Sequence, residues 1–162
     1  MDASLRRFQE SLDRVNRAIN YLTQAYLGRR GLGMSRFWVL MHLYLKGESN
    51  MSQLQKALLL SSPTMTGLVD SLVDGGLVVR SREGEDRRMV HLRLTGAGEA
   101  FCKEVLDYRC SCLKEAIPDL SPGLEKTTEL LSGIFDGLKA QIVSSCKPAG
   151  GKRSGSDADD TG

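Results

Sequence analysis

Two histidines in 162 residues leave little material for general acid–base chemistry near neutral pH. The chain also has no glycine-rich loop to cradle a phosphate and no nucleophile elbow, so the enzyme classes built on those devices are excluded. Its apolar residues never run far enough to span a membrane. The opening segment, MDASLRRFQESLDR, is polar and amphipathic where a secretory signal needs an apolar centre. A cytoplasmic location is therefore expected, with the four cysteines (Cys102, Cys110, Cys112 and Cys146) mostly reduced. Charge of one sign is scarce as well: 22 Lys and Arg stand against 20 Asp and Glu, a net charge of +2. A polyanionic partner cannot be argued from that total, only from where the cations sit.

Few cysteines and fewer histidines also argue against a metal or a cofactor. Cys110 and Cys112 are two residues apart on a predicted helix and point about 200° apart at 3.6 residues per turn. They are badly placed to bridge each other or to share zinc, and His42 and His91 are the only imidazoles available to join them. No cofactor is expected. A thiol switch would need a partner in a second subunit, or Cys146.

What is present is an ordinary globular composition, 41% hydrophobic and 26% charged, in a chain long enough to bury a core. The first segment places Leu5, Phe8, Leu12, Val15, Ile19, Leu22 and Tyr26 at alternating steps of three and four, the seam of one long helix. A second seam, Leu120, Leu124, Leu131, Phe135, Leu138 and Ile142, lies near the other end. One such helix would pack on its own domain. Two narrow seams at opposite ends suit a dimer that interlocks both termini. Gly28, Gly31 and Gly33 break the first helix, and Ser35 can cap the next, RFWVLMHLYL, whose apolar density marks it as core. Trp38 is expected to be a packing anchor and KGESN a turn.

Two short helices follow, MSQLQKALLL and SSPTMTGLVDSLVDGG, with a tight corner between them. Ser62 is the expected N-cap and Pro63 the first helical residue, where a missing N–H costs nothing; Gly75 and Gly76 stop the helix. Met65, Leu68, Val69, Leu72 and Val73 form its apolar face, and Thr64, Thr66, Gly67, Asp70 and Ser71 the opposite one. This is the layout of a helix-turn-helix. A helix that enters a major groove needs short hydrogen-bonding side chains on its leading edge, and Ser61, Ser62, Thr64 and Thr66 meet that need.

The stretch VVRSREGEDRRMVHLRLT then reads as strand, charged tip and returning strand. Arg80 and Arg82 lie on the outgoing strand, Arg87 and Arg88 at the tip, Arg93 on the return. Mutual neutralisation accounts for Glu83 and Glu85 but not for two adjacent guanidinium groups. An arginine on a narrow tip can enter a minor groove, while Asp86 can hold its neighbour by a paired hydrogen bond. From Thr95 a long helix carries Phe101, Val105, Tyr108 and Leu113 inward and ends near Pro118. Gly75, Gly76, Gly96 and Gly98 are read as helix-end caps.

At these residues the chain resembles the MarR (multiple antibiotic resistance) type of winged-helix regulator. The family's D-x-R-x-x-x-V-x-L-T is matched by Asp86, Arg88, Leu92, Leu94 and Thr95, with Leu92 standing where valine is usual; TMTGLVDSLVDGGLVVR resembles the recognition helix and entry to the wing. The resemblance runs from about Leu5 to Val143. It implies a mainly α fold with a small β-hairpin wing (α+β), a winged helix-turn-helix whose N- and C-terminal helices form a dimerisation domain. It also implies a homodimer on a pseudo-palindromic operator of double-stranded DNA, recognition helices in successive major grooves. By the same resemblance Arg87 would enter the minor groove and Arg88 would pair with Asp86, although the residues alone allow the opposite assignment. Two features depart from the family: Gly67 and Ser71 stand where arginine or lysine is common, and Gln55 where alanine is.

Such regulators release DNA when a small aromatic or lipophilic effector enters a crevice beside the dimer helices. Tyr21, Tyr26, Phe37, Trp38, Met41 and His42 are candidates to line it, though for each one taken singly ordinary core is the better reading. Members that sense oxidation carry the reactive cysteine in the first helix, where this chain has none. The expected organisation is one domain over residues 1–146 and a disordered tail over 147–162. Within the domain, dimerisation helices span about 2–28, 96–117 and 120–145, the DNA-binding lobe about 34–94, and the helix-turn-helix about 51–75. The expected function is that of a sequence-specific, ligand-responsive repressor and not an enzyme. The alternatives are a helical dimeric protein-interaction module or a thiol-based redox regulator. Replacing Arg87 with alanine should weaken operator binding across sequences and lower its salt slope by roughly 0.9; unchanged affinity and slope would refute the role given to the tip.

Overall fold

The computed structural model describes residues 2–81, 90–117 and 123–145. Among them are six helices and a three-stranded antiparallel sheet. The helices are α1 (Ala3–Gly28), α2 (Met34–Lys46), α3 (Met51–Leu58), α4 (Ser62–Asp74), α5 (Gly96–Ala116) and α6 (Leu124–Ser145); the strands are β1 (Ser49–Asn50), β2 (Val78–Ser81) and β3 (His91–Leu94). The expected class, mainly helical with a β-hairpin, is what the chain adopts. Two compact units divide it at residues 116 and 117.

In the first unit the core gathers one face from each element. Leu27 comes from α1, Phe37 and Leu40 from α2, Leu54 from α3, Met65, Val69 and Leu72 from α4, Val78 and Leu92 from the sheet, Cys102 and Val105 from α5. Each large apolar side chain taken wholly out of water contributes about 1.5–3 kcal/mol. Asp2 starts α1 by accepting the Ser4 N–H at 2.9 Å. Asn50 starts α3 with a reciprocal box: its side chain accepts the Gln53 N–H at 2.9 Å while Gln53 accepts the Asn50 N–H at 2.8 Å. Helix α3 ends at Leu59, held left-handed at φ 54° and 85% exposed. That conformation costs an L-residue about 1–2 kcal/mol, and no burial of the side chain offsets it.

Several local expectations need correction. The N-cap of α2 is Gly33 and not Ser35, which falls inside the first turn; the cap of α4 is Ser61, one residue before Ser62, so Pro63 is the second helical residue. Helix α2 is less buried than its apolar density suggests: Trp38 near its start is 43% exposed, and Tyr44 and Leu45 near its end are exposed too. The residues expected to form a turn before α3 include the short strand β1, which pairs Ser49 with Leu92 and Asn50 with His91. Leu113 is exposed although, eleven residues on, it returns to the face of Cys102: the buried residues of α5 end at Val105, and the helix has run past the core by that point.

Gly98 is not a cap glycine. Helix α4 stops at Gly75 and Gly76 (φ 67° at Gly76), and the chain turns directly into β2. The Leu77 carbonyl there accepts the Thr95 N–H at 3.0 Å, while the Thr95 hydroxyl donates to the Gly76 carbonyl at 2.7 Å and accepts the Gly98 N–H at 3.1 Å. A Cβ on Gly98 would lie 2.1 Å from that Leu77 oxygen. Glycine is needed because backbone passes over backbone.

The second unit consists, among the described residues, of α6, whose Leu124, Leu131, Phe135, Leu138 and Ile142 are all exposed. Leu120, Cys146 and the tail lie outside the described residues. Substituting Gly98 with alanine should destabilise the protein by on the order of 1–3 kcal/mol through overpacking, read as a lowered thermal midpoint; an unchanged midpoint would contradict the close approach.

Candidate nucleic-acid interface

Helix α4 is seated by one ridge and exposed along another. Met65, Val69 and Leu72, at helical spacing, are buried in the core. Ser61, Ser62, Thr64 and Thr66 are all exposed at its N-terminal end; Ser62 and Thr66, four apart, lie on one flank of the buried ridge, and Thr64, two residues from each, lies on the other. The Ser61 and Thr64 hydroxyls share a hydrogen bond of 2.8 Å, and the Thr66 hydroxyl donates to the Ser62 carbonyl at 3.0 Å. Gln55 of α3 donates to the Ser62 hydroxyl at 3.3 Å, so the residue that departs from the usual alanine ties the corner to the edge. A hydroxyl has one donor and two acceptor sites, so these bonds fix rotamers and leave capacity for a ligand.

Wing strand β2 begins just beyond α4. Its register with β3 is Val78 with Leu94, Val79 with Arg93, Arg80 with Leu92 and Ser81 with His91. Directly opposed residues on antiparallel strands share a face, so Arg80 lies on the inner face with Val78 and Leu92, and Arg93 on the outer one. From there the Arg80 guanidinium donates to the Asp70 carboxylate of α4. The far end of the described hairpin is also held beside β1, where Nδ1 of His91 on β3 lies 3.2 Å from the carboxylate of Glu48, the residue before β1. Arg82, Asp86, Arg87 and Arg88 lie outside the described residues.

The pattern of residues gave no sign of Arg36. Its guanidinium donates to the Ser71 hydroxyl of α4 at 3.0 Å and to the Gly31 carbonyl at 3.1 Å. No periodicity links an arginine to a serine 35 residues away. Ser71, one of the two positions at which the chain departs from the arginine or lysine common in the family it resembles, thus has a cation supplied from α2.

The six crevice candidates occupy different settings, with Phe37 wholly buried. Tyr26 of α1 stacks on Tyr108 of α5, with ring centroids 4.5 Å apart, and the Arg30 guanidinium lies 5.6 Å over the Tyr26 ring while pairing with Glu104. The neighbouring Glu104 carboxylate holds the Tyr26 phenol above its ordinary pKa. Cys112 does the same for Tyr108. Trp38 is tilted against Phe37 at 5.8 Å. Met41 is buried in the core, and Tyr21 is 75% exposed. His42 is partly buried, and desolvation, with Lys46 adding to it, lowers its pKa. Two cavities in this unit, of about 270 and 360 Å³, are lined by other residues: the first by Leu43, Tyr44 and Arg93 among others, the second by Arg36, Ser71 and Phe101 among others.

A sequence model of the MarR family matches residues 30–89. The HTH-type transcriptional regulator MhqR of Bacillus subtilis (strain 168) is 30% identical over 131 residues, 80% of this chain and 89% of that protein. The chain belongs to the MarR family. As a MarR-family protein it is a DNA-binding transcriptional regulator and not an enzyme. The HTH-type transcriptional repressor YetL of the same organism is 31% identical over 131 residues, 79% of this chain and 78% of that protein. Among solved structures, the Multiple Antibiotic Resistance Repressor, MarR, is 25% identical, with a TM-score of 0.64 over 78% of this chain and 93% of that one. A MarR family protein from Bacillus stearothermophilus, 21% identical, shares the fold with a TM-score of 0.70 over 88% of this chain and 99% of that one. No described helix is long and apolar enough to cross a membrane.

The described cysteines of this MarR-family chain differ in reach. Cys110 is exposed, whereas Cys102 is wholly buried and desolvation, with Glu99 adding to it, pushes its thiol up to about 11. The thiolate is the reactive form, so burial and pKa both protect Cys102. Brief iodoacetamide treatment of the native protein at mildly alkaline pH should leave Cys102 unmodified and alkylate Cys110, as peptide mass mapping can establish. Equal labelling of the two would refute the packing described for α5.

Proposed function

We propose that the protein is a ligand-responsive repressor that binds a pseudo-palindromic operator as a homodimer. The observation that carries this is the open, hydroxyl-bearing N-terminal end of α4, with Ser61, Ser62, Thr64 and Thr66 exposed on a helix whose Met65, Val69 and Leu72 are locked into the core. Such an end fits a major groove, where serine and threonine can donate to or accept from base edges. Arg80 and Arg82 on the wing strand, with Arg87 and Arg88 at its tip, supply cations for phosphate and the flanking minor groove, Asp86 orienting one of the tip pair.

The domain is taken to extend over residues 1–146, with 147–162 as a tail. The DNA-binding lobe covers about 34–94 and the helix-turn-helix about 51–75. Dimerisation falls to α1, α5 and α6. The exposed apolar residues on both end helices, Leu5, Phe8 and Val15 on α1 and Leu131, Phe135 and Leu138 on α6, support this, because a second copy would take them out of water. Repression is supported by YetL, a similar chain described as a repressor. A small aromatic or lipophilic effector would act near Tyr21, Tyr26, Trp38, Met41 and His42, of which Tyr26 already offers a stacked aromatic surface. The cytoplasm is the compartment in which such a regulator meets its operator.

In vitro selection with the purified protein should enrich an inverted repeat with half-sites about one helical turn apart. On that duplex Thr64→Ala should cost on the order of 1–3 kcal/mol and relax base preference. An enriched site without two-fold symmetry would overturn the homodimeric reading. A protein-interaction module would instead show no salt-sensitive binding to any duplex.

A further inference from the structure

The edge that begins with hydroxyls ends in a carboxylate. Ser62, Thr66 and Asp70 recur every four residues along α4 and therefore form one ridge. An uncompensated carboxylate there would oppose any approach to phosphate. It is not uncompensated, because Arg80 reaches it from β2. The strand register makes that contact: Val78 and Leu92 hold the inner face of the hairpin on the core, and Arg80, next on that face, emerges toward α4. Both partners stay near half-exposed, 43% for Arg80 and 47% for Asp70, so a duplex laid on this edge can reach either one.

We propose that Asp70 is a specificity-determining residue of DNA binding: by holding Arg80 against α4 it cancels that arginine's charge toward an arbitrary duplex and aims its remaining N–H donors along the Ser62–Thr66 edge. This rests on the DNA-binding reading of α4 and the wing. An arginine has five N–H donors in a fixed fork, so one can stay on Asp70 while others meet a correctly placed phosphate or base. A loosely held cation would gain on any sequence. A clamped one gains only where the duplex brings an acceptor to it. Asp70 thus lowers binding to random DNA more than binding to the operator.

Fluorescence anisotropy with the full chain, across a salt series, tests this on two probes: a short duplex of random sequence and the duplex enriched by selection. Asp70→Asn should tighten binding to the random duplex several-fold, steepen its log K against log salt by up to about 0.9, one phosphate contact, and narrow the ratio between the two probes. Asp70→Glu, which keeps the charge, should keep the parent's salt slope on the random duplex; a slope as steep as that of Asp70→Asn would overturn the charge cancellation. In an Arg80→Gln background the effect of Asp70→Asn on slope should vanish. Persistence of the full effect there would mean that Asp70 merely repels phosphate, and the inference fails. Parental binding that depends on salt, with no change of slope or ratio in Asp70→Asn, overturns it while leaving the DNA-binding reading intact. A parent that binds neither probe in a salt-dependent way overturns both.

Discussion

The wing of this protein is set by a crossing of two backbones at Leu77 and Gly98. Helix α4 has just ended, β2 is about to begin, and the hairpin returns through Thr95 into α5 at the same point. Thr95 closes the junction with three hydrogen bonds, two through its hydroxyl and one through its own N–H to Leu77. The approach is so close that only a residue without a Cβ fits at Gly98. The angle between α4 and the hairpin, and with it the position of Arg80, follows from that junction and from the packing of Val78 and Leu92.

The buried and the exposed residues of α4 are chemically distinct. Core burial of Met65, Val69 and Leu72 seats the helix through apolar side chains, so the hydroxyls at its N-terminal end lie outside the core. The charges near α4 are arranged rather than merely present. Asp70 meets Arg80, Ser71 meets Arg36, and Gln55 reaches Ser62. A nearly neutral chain can therefore belong to a DNA-binding family: what matters is where each cation is held, and the net charge of +2 records little of it.

Much of the scaffold was legible in the sequence because it depends on neighbours along the chain. Three-and-four spacing located the long helices, Gly75 and Gly76 marked the end of α4, and alternation from Val78 located the hairpin. Details fixed across the fold were not legible. Strand β1 has two residues, too few for a period, and exists because Ser49 and Asn50 find Leu92 and His91. The caps at Gly33 and Ser61 differ from the serines expected because cap position follows backbone direction into the helix, which hydroxyl chemistry alone does not specify. Trp38 and Leu113 are apolar yet exposed, since apolar density cannot say where a helix leaves the core. The four hydroxyl residues of the candidate interface could be named from their own segment, whereas the Arg80–Asp70 contact requires the angle between helix and hairpin to be known.

Arg36 holds two parts of the chain at once, the turn at Gly31 that ends α1 and the middle of α4 at Ser71. Free-energy linkage between such parts runs in both directions. Whatever restrains α4, such as a duplex along its edge, also narrows the motions open to the turn, and whatever reshapes the turn changes the energy of seating the helix. Two hydrogen bonds from one side chain therefore make the glycine-rich break after α1 a mechanical neighbour of a helix that lies far from it in sequence.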